Sequence, residues 1–407
     1  MDVCVLGAGI VGLSTAYALS QQGFSVTVVD AGAVGAGASG GNGAQLSYSY
    51  VQPLADPNIW AQLPKLLLSP NSPLKIRPQL DLQQWRWGLA FLRACNAHTS
   101  AATTAGLIVL AAQSKAGFDA MLSKEKLDCD YSQTGKLVLY PDAASFAAAQ
   151  RQLDLQSKLG SVQESVSVAR ACQIEPALGG YRGALAGAVH TASEAAVDCL
   201  KLCQGLERVL RGRGVRFVLG AGITSLRIEA GRVTAVHTSA GLVEATHFVL
   251  ALGAGSVAVA RSVGLRLPVY PIKGYSITLD LAESAPAAPT VNVTDIARKL
   301  VFARIGSRLR VAGMAELVGH DRSVSASAVS SLQRSTAELF PALAVCPSGQ
   351  PWAGLRPATP TGLPIAGVQA GGPANLLLNT GHGALGLTLA FGTAQRVANA
   401  LVTMTKA

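Results

Sequence analysis

The stretch VCVLGAGIVGLSTAYAL, which begins at Val3, constrains the fold of this chain more than any other segment. A short apolar strand breaks at Gly7-Ala8-Gly9-Ile10-Val11-Gly12 and runs straight into a helical pattern. Each glycine has a mechanical purpose. Gly7 permits the tight turn, Gly9 lets a diphosphate approach bare main chain, and Gly12 lets the helix pack closely on the strand. The helix start then aims unpaired N–H groups and the positive end of its dipole at the phosphates. A second strand, Ser25–Val29, ends at Asp30, where a ribose-binding carboxylate belongs. The alternative reading of Asp30 is a solvated strand-end acid. Strand, glycine turn, helix and acid in this order predict a dinucleotide site.

A chain of 407 residues suits two domains better than one core, and 49% hydrophobic residues against 14% charged ones can fill a sizeable interior. No run reaches the roughly eighteen apolar residues of a transmembrane helix. The first strand begins at once, without a signal-peptide pattern, so a cytoplasmic location is expected. The seven cysteines are scattered, and although Cys199 and Cys203 are one helical turn apart, no second ligand pair accompanies them. Buried thiols and no metal site are the expectation. The net charge of +10 is dispersed, without the clustered stripe and interleaved aromatics of a nucleic-acid binder. Segment 59–92 differs: it carries three of the four tryptophans and almost only basic charges, among them Lys65, Lys75, Arg77 and Arg86. Such a mixture suits a surface resting on lipid head groups or a helical lid over a pocket. A peripheral contact with the inner face of the cytoplasmic membrane follows from the first option.

Helices are expected over 82–95, 102–122 and 143–159, with another started by Asp198 as N-cap and ending near Gly212. Strand-like runs at 136–140, 215–219, 232–239 and 247–252 alternate with them, and 275–281 and 300–312 fit an antiparallel sheet. Residues 285–289 read as a linker within that sheet. Near the end, a strand at 376–378 breaks at Thr380-Gly381-His382-Gly383 and becomes a helix. This is a second helix start facing a glycine turn, hence a second place to hold negative charge.

Five further blocks carry a resemblance: Ser39-Gly40-Gly41-Asn42-Gly43, Pro271-Ile272-Lys273-Gly274-Tyr275-Ser276, Gly313-Met314-Ala315-Glu316, Trp352-Ala353-Gly354-Leu355-Arg356-Pro357 and Asn379-Thr380-Gly381-His382-Gly383. With the N-terminal glycines, they resemble the bacterial FAD-dependent D-amino acid dehydrogenases (small subunit) of the D-amino acid oxidase and glycine oxidase flavoprotein family. The resemblance implies an α/β fold in which a Rossmann-like FAD-binding domain (1–85, 195–260 and 345–407) is interleaved with an α+β substrate domain (86–194 and 261–344) built on an antiparallel sheet. It implies non-covalent FAD. Gly7, Gly9, Ile10, Val11 and Gly12 would hold the diphosphate, and Asp30 and Ala31 the adenosine ribose. Ser39, Asn42, Gly43 and Gln45 would run from the diphosphate to the isoalloxazine, with Ile223 at the adenine and Gly253 closing over the cofactor. Gly354 and Arg356 would border the flavin. Gly383, Leu385, Gly386, Leu387 and Thr388 would set amides against its pyrimidine edge, where reduction adds negative charge. This chain departs from the usual pattern at Gly41-Asn42-Gly43-Ala44-Gln45, where the family commonly has Ala-Asn-Ala-Gly-Gln.

The resemblance further implies oxidative deamination of a D-amino acid to the 2-oxo acid and ammonia, by hydride transfer from Cα to flavin N5. Electrons would leave to a quinone or another respiratory acceptor. The rivals are an oxidase using oxygen and a dehydrogenase of a cyclic or N-substituted amino acid such as proline, hydroxyproline or sarcosine. A third is a flavin-bearing electron-relay subunit of a larger complex. Arg356 is the candidate clamp for the substrate carboxylate because a guanidinium grips it bidentately; the alternative is an interdomain salt bridge. Tyr275 is a candidate donor to the same carboxylate or a packing residue. Lys273 is a candidate cation for the reduced flavin or a surface lysine, and His382 a candidate base or a structural residue. Tyr48 and Tyr50 follow the flavin loop as candidate pocket walls.

Overall fold

The computed structural model describes residues 1–49, 51, 53–57, 59–60, 74–157, 160, 162–281, 288–344 and 349–406. Two large sheets organise them, as the expected α/β class requires. The first has six strands in the order Ile365–Val368, Leu376–Thr380, His247–Leu250, Asp2–Leu6, Ser25–Val29 and Arg216–Val218. All neighbours are parallel except the edge strand Ile365–Val368. Asp2–Leu6 is central and buried on both faces, which explains its unbroken apolar run. Val3 and Val5 face a core shared with the helices Ile10–Gln21, Ala97–Glu125, Cys199–Gly212 and Gly386–Lys406. Cys4 and Leu6 face the opposite core, closed by Ile223–Glu229, Arg232–Thr238 and the helix Ser256–Ser262.

The second sheet has nine strands and is mostly antiparallel. Its working part is Tyr270–Asp280, flanked by Arg308–Leu317 and Gln350–Ala358. Gly274 stands directly opposite Gly354. The expected run 300–312 is a hairpin, Leu300–Ile305 and Arg308–Leu317, turned at Gly306 with φ +59°. Residues 285–287 of the expected linker lie outside the described residues.

Three stretches fall on the other side of the expected domain limits. Leu74–Ile76 and Gln350–Ala358 hydrogen-bond into the large sheet. Ala97–Glu125 packs on Gly386–Lys406 over the nucleotide sheet. These assignments depend on long-range strand register and helix packing, which local pattern does not encode. The halves are tied by ions as well: Arg308 of the large sheet meets Asp130 at 2.9 Å and Asp198 at 2.7 Å.

The chain's two ends meet in one layer. Ser14 Oγ donates to the Ala390 carbonyl at 3.1 Å, and Asn379 Nδ2 to Thr15 Oγ1 at 2.9 Å, joining the first helix to the last strand and helix.

Candidate functional site

A cavity of about 1480 Å³ runs between the two sheets. One end is built from main chain. Gly7 has φ +119°, and a Cβ there would lie 2.4 Å from the Ala251 carbonyl oxygen. A Cβ on Gly12 would lie 1.9 Å from the Gly7 oxygen, so strand end and helix can abut only without side chains. Gly9 caps the helix without a side-chain bond, and Ile10 N–H donates to Ser39 Oγ at 3.0 Å. The Asp30 carboxylate accepts from Ala8 N at 2.7 Å and Gly32 N at 2.8 Å. It therefore braces the glycine turn, while each oxygen keeps a second lone pair for a ligand. Ala31 and Ile223 border the cavity beside it.

The other end is built from side chains on the large sheet. Trp352, Gly354 and Arg356 alternate on one strand; Ile272, Gly274 and Ser276 do so on its neighbour. A Cβ on Gly354 would sit 1.9 Å from the Trp352 ring, and one on Gly274 would sit 2.3 Å from Arg356 Nη2. The facing glycines thus let an indole and a guanidinium lie along the sheet. Arg356 donates from Nη1 to the Met314 carbonyl at 2.7 Å and from Nη2 to the Gly313 carbonyl at 3.4 Å. Burial alone lowers its pKa, and no ion pair to it is present among the described residues. The interdomain salt bridge anticipated as its alternative is not formed among the described residues.

The loop between these ends is pinned to the sheet. Ser276 Oγ donates to the Gly41 carbonyl at 2.7 Å, Arg310 to the Asn42 carbonyl at 2.8 Å, and Asn42 Oδ1 accepts from Ala44 N at 2.9 Å. Gln45 Nε2 is taken up by the carbonyls of Val293 and Phe302 at 3.2 and 3.1 Å. Across the cavity the chain leaves Leu376–Thr380 at Gly381, φ +83°, and enters the last helix at Gly386. Gly253, Gly383, Leu385, Gly386, Leu387 and Thr388 line that wall.

A family model described as FAD dependent oxidoreductase (DAO) matches residues 2–400. The chain belongs to this family. It is 45% identical over 410 residues to "D-amino acid dehydrogenase 2" of Ralstonia nicotianae, covering 98% of this chain and 96% of that one. It is 41% identical over 399 residues to "D-amino acid dehydrogenase 2" of Pseudomonas aeruginosa, covering 97% and 94%. The solved glycine oxidase of Geobacillus kaustophilus superposes with a TM-score of 0.78 at 22% identity, covering 99% of this chain and 94% of that one.

FAD is the cofactor of the family, and the cavity fits it. Its volume exceeds the roughly 300–1,000 Å³ of ordinary ligand pockets. The glycine turn has the bare main chain that a diphosphate needs, and the opposite wall presents a helix start. Gly7 and Gly12 stand behind the turn. Gly9, Ile10, Val11, Asp30, Ala31, Ser39, Asn42, Gly43, Gln45, Ile223, Gly253, Gly354 and Arg356 all border the cavity.

Several candidate residues sit elsewhere or are otherwise engaged. Lys273 and Tyr275 alternate with Gly274 and Ser276 on one strand, whose register against Arg308–Leu317 shifts between Lys273 and Tyr275, and Tyr275 borders the cavity. The Lys273 ammonium meets Asp321 at 3.1 Å and Ser323 Oγ at 3.4 Å and does not line the cavity. The Tyr275 ring packs with Ile277 and Leu279, and its hydroxyl donates to Glu316 at 2.8 Å. Burial and that bond raise the phenol pKa, and in this structure the hydroxyl is held by Glu316. His382 borders the cavity, but Nε2 lies 2.9 Å from Thr393 Oγ1 and burial holds its pKa down near about 3. Burial and this contact favour the neutral imidazole. Tyr48 packs in the helical core instead of the cavity wall, its hydroxyl buried without a hydrogen-bond partner. Tyr50 lies outside the described residues.

Segment 59–92 divides. Trp87 is buried, stacks on Phe91 at 5.3 Å and donates to the Ala358 carbonyl at 2.8 Å, so its ring is not open to a lipid surface. Trp60 and Trp85 are 53% and 59% exposed. The helix Leu82–Ala94 roofs the cavity with Trp85, Gly88, Leu89 and Leu92, while Leu82, Trp85 and Leu89 remain open to solvent. Lys65 lies outside the described residues.

Lys136 is a buried cavity residue that sequence reasoning missed. It opens the strand Lys136–Tyr140, is 3% exposed and donates to Ser47 Oγ at 2.8 Å. Burial pushes its pKa down to about 8 against the opposing pull of Glu194. Glu194 is itself buried and accepts from Tyr48 N at 2.8 Å and Ser49 N at 2.7 Å. The only signal in the sequence is a lysine heading an otherwise apolar strand.

Proposed function

We propose that this chain is a dehydrogenase that oxidises the Cα–N bond of a D-amino acid and passes the electrons to a quinone or another respiratory acceptor. Two relatives of 41% identity or more bear the name D-amino acid dehydrogenase, which supports the substrate class. The observation that carries the reading is Arg356: a buried guanidinium beside the cavity, oriented by two main-chain carbonyls and unpaired by any carboxylate among the described residues. Such a fork suits a substrate carboxylate. FAD, when bound, would supply the two-electron acceptor for the hydrogen on Cα.

The chain's own task is then positional. Arg356 fixes the carboxylate, and Trp352 and the Gly274–Gly354 floor shape the space beside it. The amine enters neutral; as Cα–H leaves with two electrons, the nitrogen lone pair forms the C=N bond. Water then adds to the imino acid and releases the 2-oxo acid and ammonia. This route needs no strong base, which agrees with a neutral, tethered His382.

For the acceptor, the support is the exposed rim of Leu80, Leu82, Trp85 and Leu89 with Arg77, Arg86 and Arg93 exposed nearby. No helix among the described residues is long and apolar enough to cross a membrane. Apolar and basic groups together suit an anionic lipid surface, where a quinone resides.

Anaerobic mixing of the purified yellow protein with D- and L-amino acids tests the reading. Bleaching of the flavin by D-amino acids, followed by reoxidation with quinone analogues and little peroxide in air, is expected. Bleaching only by proline, hydroxyproline or sarcosine, or rapid stoichiometric peroxide, would replace it with one of the rivals. No bleaching by any amino acid would leave the electron-relay subunit.

A further inference from the structure

We propose that Lys136 is a fixed internal cation that raises the affinity of the bound flavin for electrons. The proposal rests on the reading that the pyrimidine edge of FAD faces the start of the last helix.

The geometry ties Lys136 to that wall in two steps. Its ammonium donates to Ser47 Oγ at 2.8 Å, and Ser47 N–H donates to Thr388 Oγ1 at 3.3 Å. Thr388 lies in the first turn of the helix Gly386–Lys406. Lys136, Ser47 and Thr388 all line the cavity, and all three are less than a tenth exposed. Around Lys136 the strand is otherwise apolar, with Leu137, Val138 and Leu139 buried. A leucine or methionine would fill the same space without removing a charge from water, so packing alone gives no reason for a lysine.

What a buried cation does supply is a field that solvent does not screen. Reduction adds negative charge to the flavin at its pyrimidine edge, and a cation on that side favours the reduced form. Glu194 acts in the opposite sense. Its carboxylate is anchored by Tyr48 N and Ser49 N and offsets part of the lysine's charge. The pair therefore sets the size of the effect as well as its sign. Lys136 acts through space and through Ser47, which makes it a positioning and electrostatic residue and not a participant in bond breaking.

The test is the midpoint potential of bound FAD in the wild-type, Lys136→Met and Glu194→Gln holoproteins. It is read by anaerobic reductive titration against a reference dye, with no amino acid present. Lys136→Met is expected to lower the equilibrium constant for reduction about tenfold, equivalent to about 30 mV for a two-electron couple. It should weaken formation of the sulfite adduct of the flavin to a similar extent. Glu194→Gln is expected to shift the potential upward. Potentials equal to wild type in both variants, with a lowered Tm or FAD content in Lys136→Met, would assign the lysine to structure and overturn the proposal. If Lys136→Met retains no FAD, Glu194→Gln decides: a rise supports the proposal and an unchanged potential overturns it. Because no substrate is used, an error in the amino-acid assignment leaves the outcome intact.

Discussion

The two ends of the cavity are made of different material. At the diphosphate end the walls are peptide groups, and what matters is the absence of side chains at Gly7 and Gly12. At the reacting end the walls are side chains from separated strands, and what matters is their charge and shape: Arg356, Trp352 and Lys136. Asp30 and Gly274 qualify this contrast in opposite directions. Asp30 is a side chain that works as scaffold for a backbone turn, whereas Gly274 is a bare backbone position that serves a side chain, Arg356. A Cβ should therefore destroy the first end, and a change of charge should destroy the second.

The largest effect is expected at Arg356. Arg356→Leu should reduce kcat/KM by about 3–5 kcal/mol of transition-state binding, and Arg356→Lys nearly as much, because a point charge cannot replace the fork. FAD content should stay normal in both. Steady-state kinetics on the yellow variants checks this; a lysine variant near wild-type activity would break the contrast at its charged end. Next comes Gly12→Ala, whose new methyl would meet the Gly7 oxygen at 1.9 Å. Forcing the helix off the strand should cost about 3 kcal/mol and yield colourless protein with a lower Tm. Retention of full FAD absorbance and an unchanged melt would show that the turn tolerates side chains after all.

A smaller effect sharpens the seam where the ends meet. His382 has its pKa depressed in the folded chain from 6.5 to about 3. Between those values the unfolded chain binds a proton that the folded chain does not, so stability falls as pH drops through that window. The slope should be on the order of 1 kcal/mol per pH unit, and His382→Gln should remove it. Urea titrations at a series of pH values measure it; equal slopes in both proteins would place the imidazole in water. The smallest effect is expected at the rim. Replacing Trp60 and Trp85 by alanine should weaken binding to anionic vesicles by about 1 kcal/mol, with dye reduction unaffected. Vesicle sedimentation at low salt reads this, and undiminished binding would remove the rim from lipid contact.

The contrast also explains what could be read without coordinates. The strand Asp2–Leu6, its glycine turn, Asp30 and the last helix are local patterns: periodicity, a break and a cap. Their neighbours in sequence are their neighbours in space. Lys136 becomes buried only because its strand is enclosed between Asn292–Asp295 and Gly187–Thr191, which lie far along the chain. Lys273 and Tyr275 are an intermediate case. Alternation alone separates them from Gly274 and Ser276, but Tyr275 borders the cavity and Lys273 does not, a difference set by what the sheet packs against. The tryptophans of segment 59–92 follow the same rule. The helix Leu82–Ala94 has an exposed edge and a buried one, and the tryptophan count does not say which ring takes which.

The joining of the chain's two ends has a consequence for biosynthesis. The first strand and helix emerge from the ribosome long before their neighbours, Leu376–Thr380 and Gly386–Lys406. Until then the nascent polypeptide carries a complete glycine fingerprint with one wall of its pocket missing. Both walls of the pocket exist together only once Gly386–Lys406 has been synthesised and has packed on the first helix.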